Sequence, residues 1–418
     1  MAALSSSHND VLRDFTALEV LAASAVLDAD AILVCAGAGM SIHDEETGVS
    51  TCGNVYIDPN HFASKYPGMR KYGYRTCYET MGLSVDPNVP LEVKRGFMLM
   101  HMKNMSELIP PTPGYAEVLR LCKRVEAKNR SGDEPAFWVW SSNVDGCFLR
   151  AGFPEDRIYT PQGDMKWFQC KEATCSGDSM WAAKPVLDEL LHFVDKSTCW
   201  LQSDKLRAEG LKCPRCGSHN TFANLRGGNW FSHHAVLEAA SARLESWLEG
   251  IVAARKKLVV LELGCGMNTP TVTRLPMEAV ARATRDAILL RVNPLDNAIG
   301  PSVPFPRGMS LSGGWRLAER LNVILDLCGK EGEEGQRNEA NLKDALLVAT
   351  KNTRRVATSK SSPSTAISSV EQLVEAAAAA HHKASSGSSE PRALRWCSLS
   401  ARYQNQDWKW YLANLRRD

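Results

Sequence analysis

The stretch "DAILVCAGAGMS", Asp30 to Ser41, decides how this chain is read. Six apolar residues, Ala31 to Ala36, have the length of a buried strand, and the glycines at 37 and 39 break that strand into a turn. Apolar positions at helical spacing precede it, from about Asp10 to Leu27. The pattern predicts helix, strand, glycine-rich turn and the start of another helix. In such a turn backbone amides can approach a diphosphate, with a helix N-terminus facing the charge. The alternative is a turn that serves only to turn. The glycine spacing misses the dehydrogenase fingerprint, and no suitably placed acidic residue closes a dinucleotide βαβ unit, which counts against an ordinary oxidoreductase.

Similar patterns recur further along. The prolines of "LIPPTPGYAEVLRLCKRVEAK", 108–128, suit the first turn of a helix. "AFWVWSSNVDG", 136–146, is a buried strand running into a polar loop, and "RIYTPQGDM", 157–165, is a short strand and turn. "LESWLEGIVAARKKLVVLELGCGMNTP", 244–270, repeats helix, strand and glycine loop, and "DAILLRVNPLD", 286–296, is one more strand with polar residues at its end. Strands alternating with helices predict an α/β fold built on a Rossmann-like, doubly wound parallel sheet, whose ligands bind beyond the carboxyl ends of the strands. Two inserts interrupt it: a helical or loop flap over about 42–105 and a cysteine-bearing module over about 168–230.

Composition bounds the rest. A content of 44% hydrophobic and 23% charged residues is that of an ordinary globular protein, and a net charge of +2 gives no reason to expect a nucleic-acid site. No apolar run reaches the roughly 18 residues a membrane span needs. The first residues lack a basic region followed by an apolar one, so the expectation is an intracellular protein, cytoplasmic or nuclear, whose 13 cysteines are reduced thiols and metal ligands rather than disulfides. From about 331 the chain becomes polar, Ser/Thr-rich and Ala-rich. From Arg337 it holds 13 basic against 7 acidic residues, a composition that predicts disorder. Its aromatic end, "RWCSLSARYQNQDWKWYL", is a candidate for docking on the core or on a partner.

Two groups of residues carry recognisable chemistry. "CPRCG" places Cys213 and Cys216 two residues apart, where two thiolates can share one tetrahedral ion and a glycine lets amides turn toward the sulfurs. "CKEATC" offers Cys170 and Cys175 as the other half, with Cys199 as a substitute, and the simpler reading is a set of buried thiols. Four thiolates leave zinc no open position, so such an ion would hold a module together rather than activate water. In "SSNVDG", 141–146, Asn143 and Asp145 end a buried strand; they could orient an amide-bearing ligand and its sugar, or merely close an Asx turn.

Taken in order, "GAGMS", the proline-opened helix, "NVDGCFLRAG", the cysteine pairs and "LLRVN" resemble the sirtuin family over about residues 20 to 328. The resemblance implies that 1–330 form an NAD-binding domain with a structural zinc ion, and that NAD is consumed as co-substrate rather than used for hydride transfer. Ala36, Gly37, Ala38, Gly39 and Ser41 would then hold the diphosphate, and Asn143 and Asp145 would face the nicotinamide end. Asn293 would meet the adenosine ribose, and Gly264, Gly266 and Asn268 would stand for the family's Gly-Thr-Ser loop. Departures are as informative. "IHDEETGVSTCGN" lacks the Pro-Asp-Phe-Arg run of deacylating members, Ser142 stands for a glutamine, and the catalytic histidine falls on Gln162. Glutamine can hydrogen-bond a ribose hydroxyl but has no basic site near neutral pH, so general-base catalysis, typically about 10² to 10⁴-fold, is lost there.

The pattern is similar to the macrodomain-linked sirtuins, which also lack the histidine. The expectation is therefore transfer of ADP-ribose from NAD to a protein or small-molecule acceptor, with release of nicotinamide; Asn143, Asp145 and Gln162 are the residues expected at the reacting centre. Two alternatives are a deacylase acting on acyl-lysine with a displaced base, and a catalytically silent module that binds NAD or ADP-ribose. Asp164, His43, His61, Asp44 and Glu45 are the local candidates for such a base, and "NWFSHH", 229–234, for an acceptor cleft.

Overall fold

The computed structural model describes residues 15–42, 54–108, 110–128, 134–175, 179–225, 235–328, 336 and 339–340. His43, Asp44, Glu45, "NWFSHH" and nearly all of the basic tail lie outside them. In chain order the strands among the described residues are β1 (Ala31–Ala36), β2 (Phe137–Ser141), β3 (Ile158–Tyr159), β4 (Gly163–Cys170), β5 (Met180–Ala182), β6 (Val194–Asp195), β7 (Trp200–Leu201), β8 (Thr221–Leu225), β9 (Leu258–Leu263), β10 (Ile288–Val292) and β11 (Gly308–Leu311). A six-stranded sheet takes the order β11-β10-β9-β1-β2-β3, and its pairs β1–β9, β9–β10 and β10–β11 are parallel. The expected α/β fold on a parallel sheet is present. The chain divides into two compact units, one of residues 1–36, 117–140 and 243–418, the other of 37–116 and 141–242.

In the first unit β1 and β9 are buried at every position, as expected of strands covered on both faces. Parallel neighbours require crossovers, and the helix Arg274–Ala283 carries the chain from β9 to β10. The helices Ala17–Asp28 and Arg316–Cys328 pack together. Thr16 caps the first of these in a capping box with Glu19, whose carboxylate also takes Arg320 Nη2 at 3.0 Å. β11 and Arg316–Cys328 escape the sequence reading. The strand is four residues long with a glycine, too short for a period to show, although the helix spacing of "RLAERLNVILDLC" is regular.

Charge is buried inside this apolar sheet. Arg291 and Glu262 are each 1% exposed and meet through two bonds, Nε to Oε1 at 2.7 Å and Nη2 to Oε2 at 2.9 Å. Arg291 Nη1 also reaches Glu278 at 2.8 Å and the carbonyl of Ala298 at 2.7 Å. The bidentate geometry and the added partners compensate the lost hydration. They also tie the loop after β10 to the sheet.

The second unit has a three-stranded antiparallel sheet, β5-β4-β8, and a two-stranded ribbon, β6–β7. The helix Leu91–Lys103 packs closely on the ribbon: a Cβ on Gly96 would stand 2.1 Å from the carbonyl oxygen of Cys199. Its Arg95, 8% exposed, donates to the carbonyl of His219 at 2.6 Å and to that of Thr221, while burial lowers its pKa to about 10. The flap segment is thus helical at Asn54–Ile57, Pro59–Lys65 and Leu91–Lys103, with 3-10 turns between.

Candidate functional site

β1 ends at Ala36, Gly37 is extended, and Ala38, Gly39, Met40 and Ser41 form one 3-10 turn before Ile42 is extended again. Among the described residues the expected α-helix start is absent: a 3-10 turn opens with Met40 N–H on Gly37 C=O at 3.0 Å and ends at Ile42, which is extended. A macrodipole needs aligned peptides over several turns, so an anion here would meet individual amides rather than a helix terminus.

This turn carries the polar centre of the second unit. Ser41, 2% exposed, lies 2.5 Å from the hydroxyl of Tyr115 and donates to Asp145 Oδ2 at 3.0 Å. Asn143 Nδ2 donates to the carbonyl of Gly37 at 3.0 Å and lies 3.4 Å from Tyr115 Oη and 3.5 Å from Ser41 Oγ. The Asx-turn alternative holds at Asp145 Oδ1. Asp145 Oδ1 accepts Cys147 N–H at 2.9 Å, whereas its other oxygen and the Asn143 amide reach about a hundred residues back. Tyr115, fully buried on the first turn of the helix Pro113–Lys128, is the member sequence reasoning missed. The available signal was its place just after Pro113, because a buried tyrosine needs a partner for its hydroxyl.

Gln162 sits in the turn between β3 and β4, partly exposed, and its side chain forms no hydrogen bond among the described residues. Gly163 has φ +101°, and a Cβ there would stand 2.0 Å from the carbonyl oxygen of Asn224, so only glycine fits. Two residues on, Met165 N–H donates to Val144 C=O at 2.9 Å, which binds the start of β4 to the loop holding Asn143 and Asp145. Asp164 and Asp145 flank that bond. His61, another of the local candidates, lies on Pro59–Lys65 in the flap.

The first unit holds the other named residues. Gly264, with φ +61°, donates its N–H to Val292 C=O at 2.9 Å, joining the loop after β9 to the end of β10. Asn293, 8% exposed, accepts the N–H groups of Leu295 and Asp296 at 3.0 and 2.9 Å and donates to Cys265 C=O at 3.2 Å. Its side chain is thus engaged in fixing two loops. A Cβ on Gly266 would meet Asp296 at 3.5 Å, while Asn268 is exposed. The site residues thus form two groups, one in each unit.

The four cysteines form a third group, in the second unit. One sulfur from each of Cys170, Cys175, Cys213 and Cys216 lies within 4.8 Å of all the others. Two of the separations, Cys170–Cys216 and Cys175–Cys213, are 3.7 Å. Zinc–sulfur bonds of about 2.3 Å in a tetrahedron set sulfurs about 3.8 Å apart, so the donor set fits a zinc ion. Glu172 N–H points at Cys170 Sγ at 3.5 Å, and Gly217 at φ +75° closes the knuckle. Burial pushes up the Cys170 and Cys175 thiols. Burial acts the same way on Cys213, but the N–H groups of Cys216 and Arg215 and the neighbouring thiols outweigh it and bring the value down to about 7. Four thiols this close cannot all ionise without a cation among them. Trp181 packs against the three buried members, Cys170, Cys175 and Cys213, and stacks on Phe168 at 5.7 Å, while Cys216 is exposed. Cys199, offered above as a substitute ligand, is instead a buried residue with φ +57° beside the β6–β7 ribbon, outside the cluster.

Fold and site define an α/β protein with a parallel sheet, a polar centre on a glycine turn, and a four-cysteine cluster that could bind zinc. The chain is 31% identical over 299 residues to a protein of Fusarium oxysporum f. sp. cubense named "Probable bifunctional ADP-ribose hydrolase/ADP-ribosyltransferase". The match covers 71% of this chain and 46% of the relative, so the chain spans about half the length of the curated relative it matches. Among solved structures it is similar to a Sir2 complex with a p53 peptide and NAD+, at TM-score 0.38 and 15% identity over 73% of this chain and 96% of that one. A second is a Sir2 variant with deacetylated p53 peptide and 3'-O-acetyl ADP-ribose, at TM-score 0.39 and 15% identity over 75% and 97%. No family model matches the chain. No helix among the described residues is long and apolar enough to cross a membrane.

Proposed function

We propose that the protein consumes NAD and transfers its ADP-ribose to a protein or small-molecule acceptor, releasing nicotinamide. The observation that carries this reading is the convergence of Gly37, Ser41, Asn143 and Asp145 on the glycine turn, with Gln162 standing where the family resemblance places a base. The relative's name, which joins ADP-ribose hydrolase and ADP-ribosyltransferase, agrees with it.

In this reading the amides of the 37–41 turn meet the diphosphate. Asn143, oriented by Gly37 C=O, and Asp145, held through Ser41 and Cys147 N–H, present an amide and a carboxylate to the nicotinamide end. The carboxylate favours the positive charge that develops on the ribose carbon as the bond to nicotinamide breaks, a contribution made by positioning and electrostatics. Gln162, whose side chain makes no hydrogen bond among the described residues, donates to or accepts from a ribose hydroxyl without taking its proton. Deacylation, whose second stage needs that proton removed, is disfavoured, and nicotinamide release is kept. Cys170, Cys175, Cys213 and Cys216 would hold zinc, which would supply cohesion to the module and no reactive position.

Incubation of the full chain with NAD labelled in the adenosine half, with all products followed, tests the reading. Labelled protein or free ADP-ribose with stoichiometric nicotinamide is the expected result. Acetyl-ADP-ribose from an acetyl-lysine peptide would instead mean deacylation, and NAD binding without turnover a silent module. In the same assay Gln162→His is expected to gain deacylation while nicotinamide release persists. Efficient deacylation by the unaltered protein would overturn the missing-base argument.

A further inference from the structure

We propose that Asp164, two residues beyond Gln162, is the general base that deprotonates the acceptor in ADP-ribosyl transfer. The inference rests on the reading above and adds the group that removes the proton.

The geometry begins with the backbone. Met165 N–H on Val144 C=O lays the start of β4 against the 142–146 loop, and Asp164 and Asp145 are the residues on either side of that bond. Asn224 Oδ1 on β8 accepts the N–H of Asp164 at 3.1 Å and fixes the main chain. Two carboxyl groups are therefore placed beside the Gln162 turn, and their partners differ. Asp145 is committed on both oxygens, to Ser41 and to Cys147 N–H. Among the described residues the Asp164 carboxylate is held by its own strand neighbour: Oδ1 accepts Lys166 N–H at 2.9 Å and Oδ2 lies 3.6 Å from Lys166 Nζ. That lysine is shared with Glu155 at 2.5 Å. The Asp164 side chain is 17% exposed, enclosed yet reachable.

The charges facing Asp164 are Lys166 from its own strand and Asp145 from the adjoining loop, with Glu155 acting through the shared lysine. Burial comes first and raises the Asp164 pKa above its ordinary value; Lys166 opposes the shift and Asp145 adds to it. A carboxylate raised in this way is a better proton acceptor than a solvated one. The reaction balances without a further reagent. The acceptor oxygen or nitrogen bonds to the ribose carbon, the bond from that carbon to nicotinamide breaks and its electron pair leaves with neutral nicotinamide. The acceptor's proton passes to Asp164 and then to water.

Water is the acceptor that can be used without knowing any other, and azide is a nucleophile that has no proton to lose. Nicotinamide release from NAD by the full chain is measured across pH with water alone and with added azide. In the unaltered protein the water reaction rises with pH as Asp164 deprotonates, with a midpoint above that of a solvated aspartate. Asp164→Asn, which keeps an oxygen for Lys166 N–H, should lose about 10² to 10⁴-fold of the water reaction together with the acidic limb. It should bind NAD as before, and azide should restore its nicotinamide release. Asp164→Glu should recover part of the rate. An Asp164→Asn protein with unchanged rate and pH profile overturns the inference, and so does one that binds NAD but is not restored by azide. A wild type that binds NAD yet releases no nicotinamide with water or azide overturns the transfer reading itself.

Discussion

Two clusters in the second unit each gather four side chains from distant parts of the chain, and they differ in how they are held. The thiols of Cys170, Cys175, Cys213 and Cys216 converge on a point where an ion fits, and few side-chain hydrogen bonds join them to anything else. Ser41, Tyr115, Asn143 and Asp145 converge on one another and on a carbonyl, through hydrogen bonds. One cluster has the geometry to take an added ion; the other is joined by its own hydrogen bonds. Strand β4 connects them. It starts beside Val144 and ends at Cys170, a span of about 23 Å at 3.3 Å per residue. Loss of order at the thiol end should therefore be felt at the other.

The largest effect is expected from removing the ion. Structural zinc contributes on the order of 10 kcal/mol or more to the folding of small zinc modules. Cys213→Ser, or chelation of the wild type, should abolish stoichiometric zinc, lower the melting temperature by many degrees, and weaken NAD binding through β4. Metal analysis and thermal melting check it. Full stability without metal would reduce the cluster to buried thiols.

Next comes Gly163→Ala, at the other end of the strand. Its φ of +101° and the 2.0 Å approach of Asn224 O leave no room for a methyl group, so β4 or β8 must shift. Strain and overpacking together predict a loss of about 2–5 kcal/mol, read by denaturant melts. Zinc should stay bound in this variant while nicotinamide release falls. Loss of both would show the two ends to be one cooperative unit.

The two clusters were also unequally legible. The spacing of "CPRCG" and "CKEATC" is the spacing that a shared tetrahedral ion demands, so four converging thiols could be named from the chain alone. Of the polar cluster, Ser41, Asn143 and Asp145 could be named because each follows a recognisable strand end. Tyr115 could not, since it lies on a helix and its role depends on which loop that helix meets. The glycine turn was legible as a strand end but not in its continuation, because one 3-10 turn and the first turn of an α-helix share the same residue preferences. The buried Arg291–Glu262 pair was hidden for a related reason: a charge inside an apolar run reads as an interruption until its partner on the neighbouring strand is known.

The smallest effect is expected from Tyr115→Phe, which leaves the ring stacked edge-on against Phe148 at 4.8 Å and removes only the hydroxyl. Ser41 keeps its bond to Asp145 and loses the shorter one to Tyr115, and Asn143 keeps Gly37 C=O. The cost should be about 1–2 kcal/mol, that of one buried hydrogen bond with a partner left short. Ser41→Ala removes the same bond from the other side. If the cluster is held as described, the two losses are not additive, and a double-mutant cycle returns about 1 kcal/mol of coupling. Zinc content should be untouched in all three proteins, in contrast to Cys213→Ser. Strict additivity would mean that Ser41 and Tyr115 contribute separately, and that the polar cluster is several independent contacts rather than a single network.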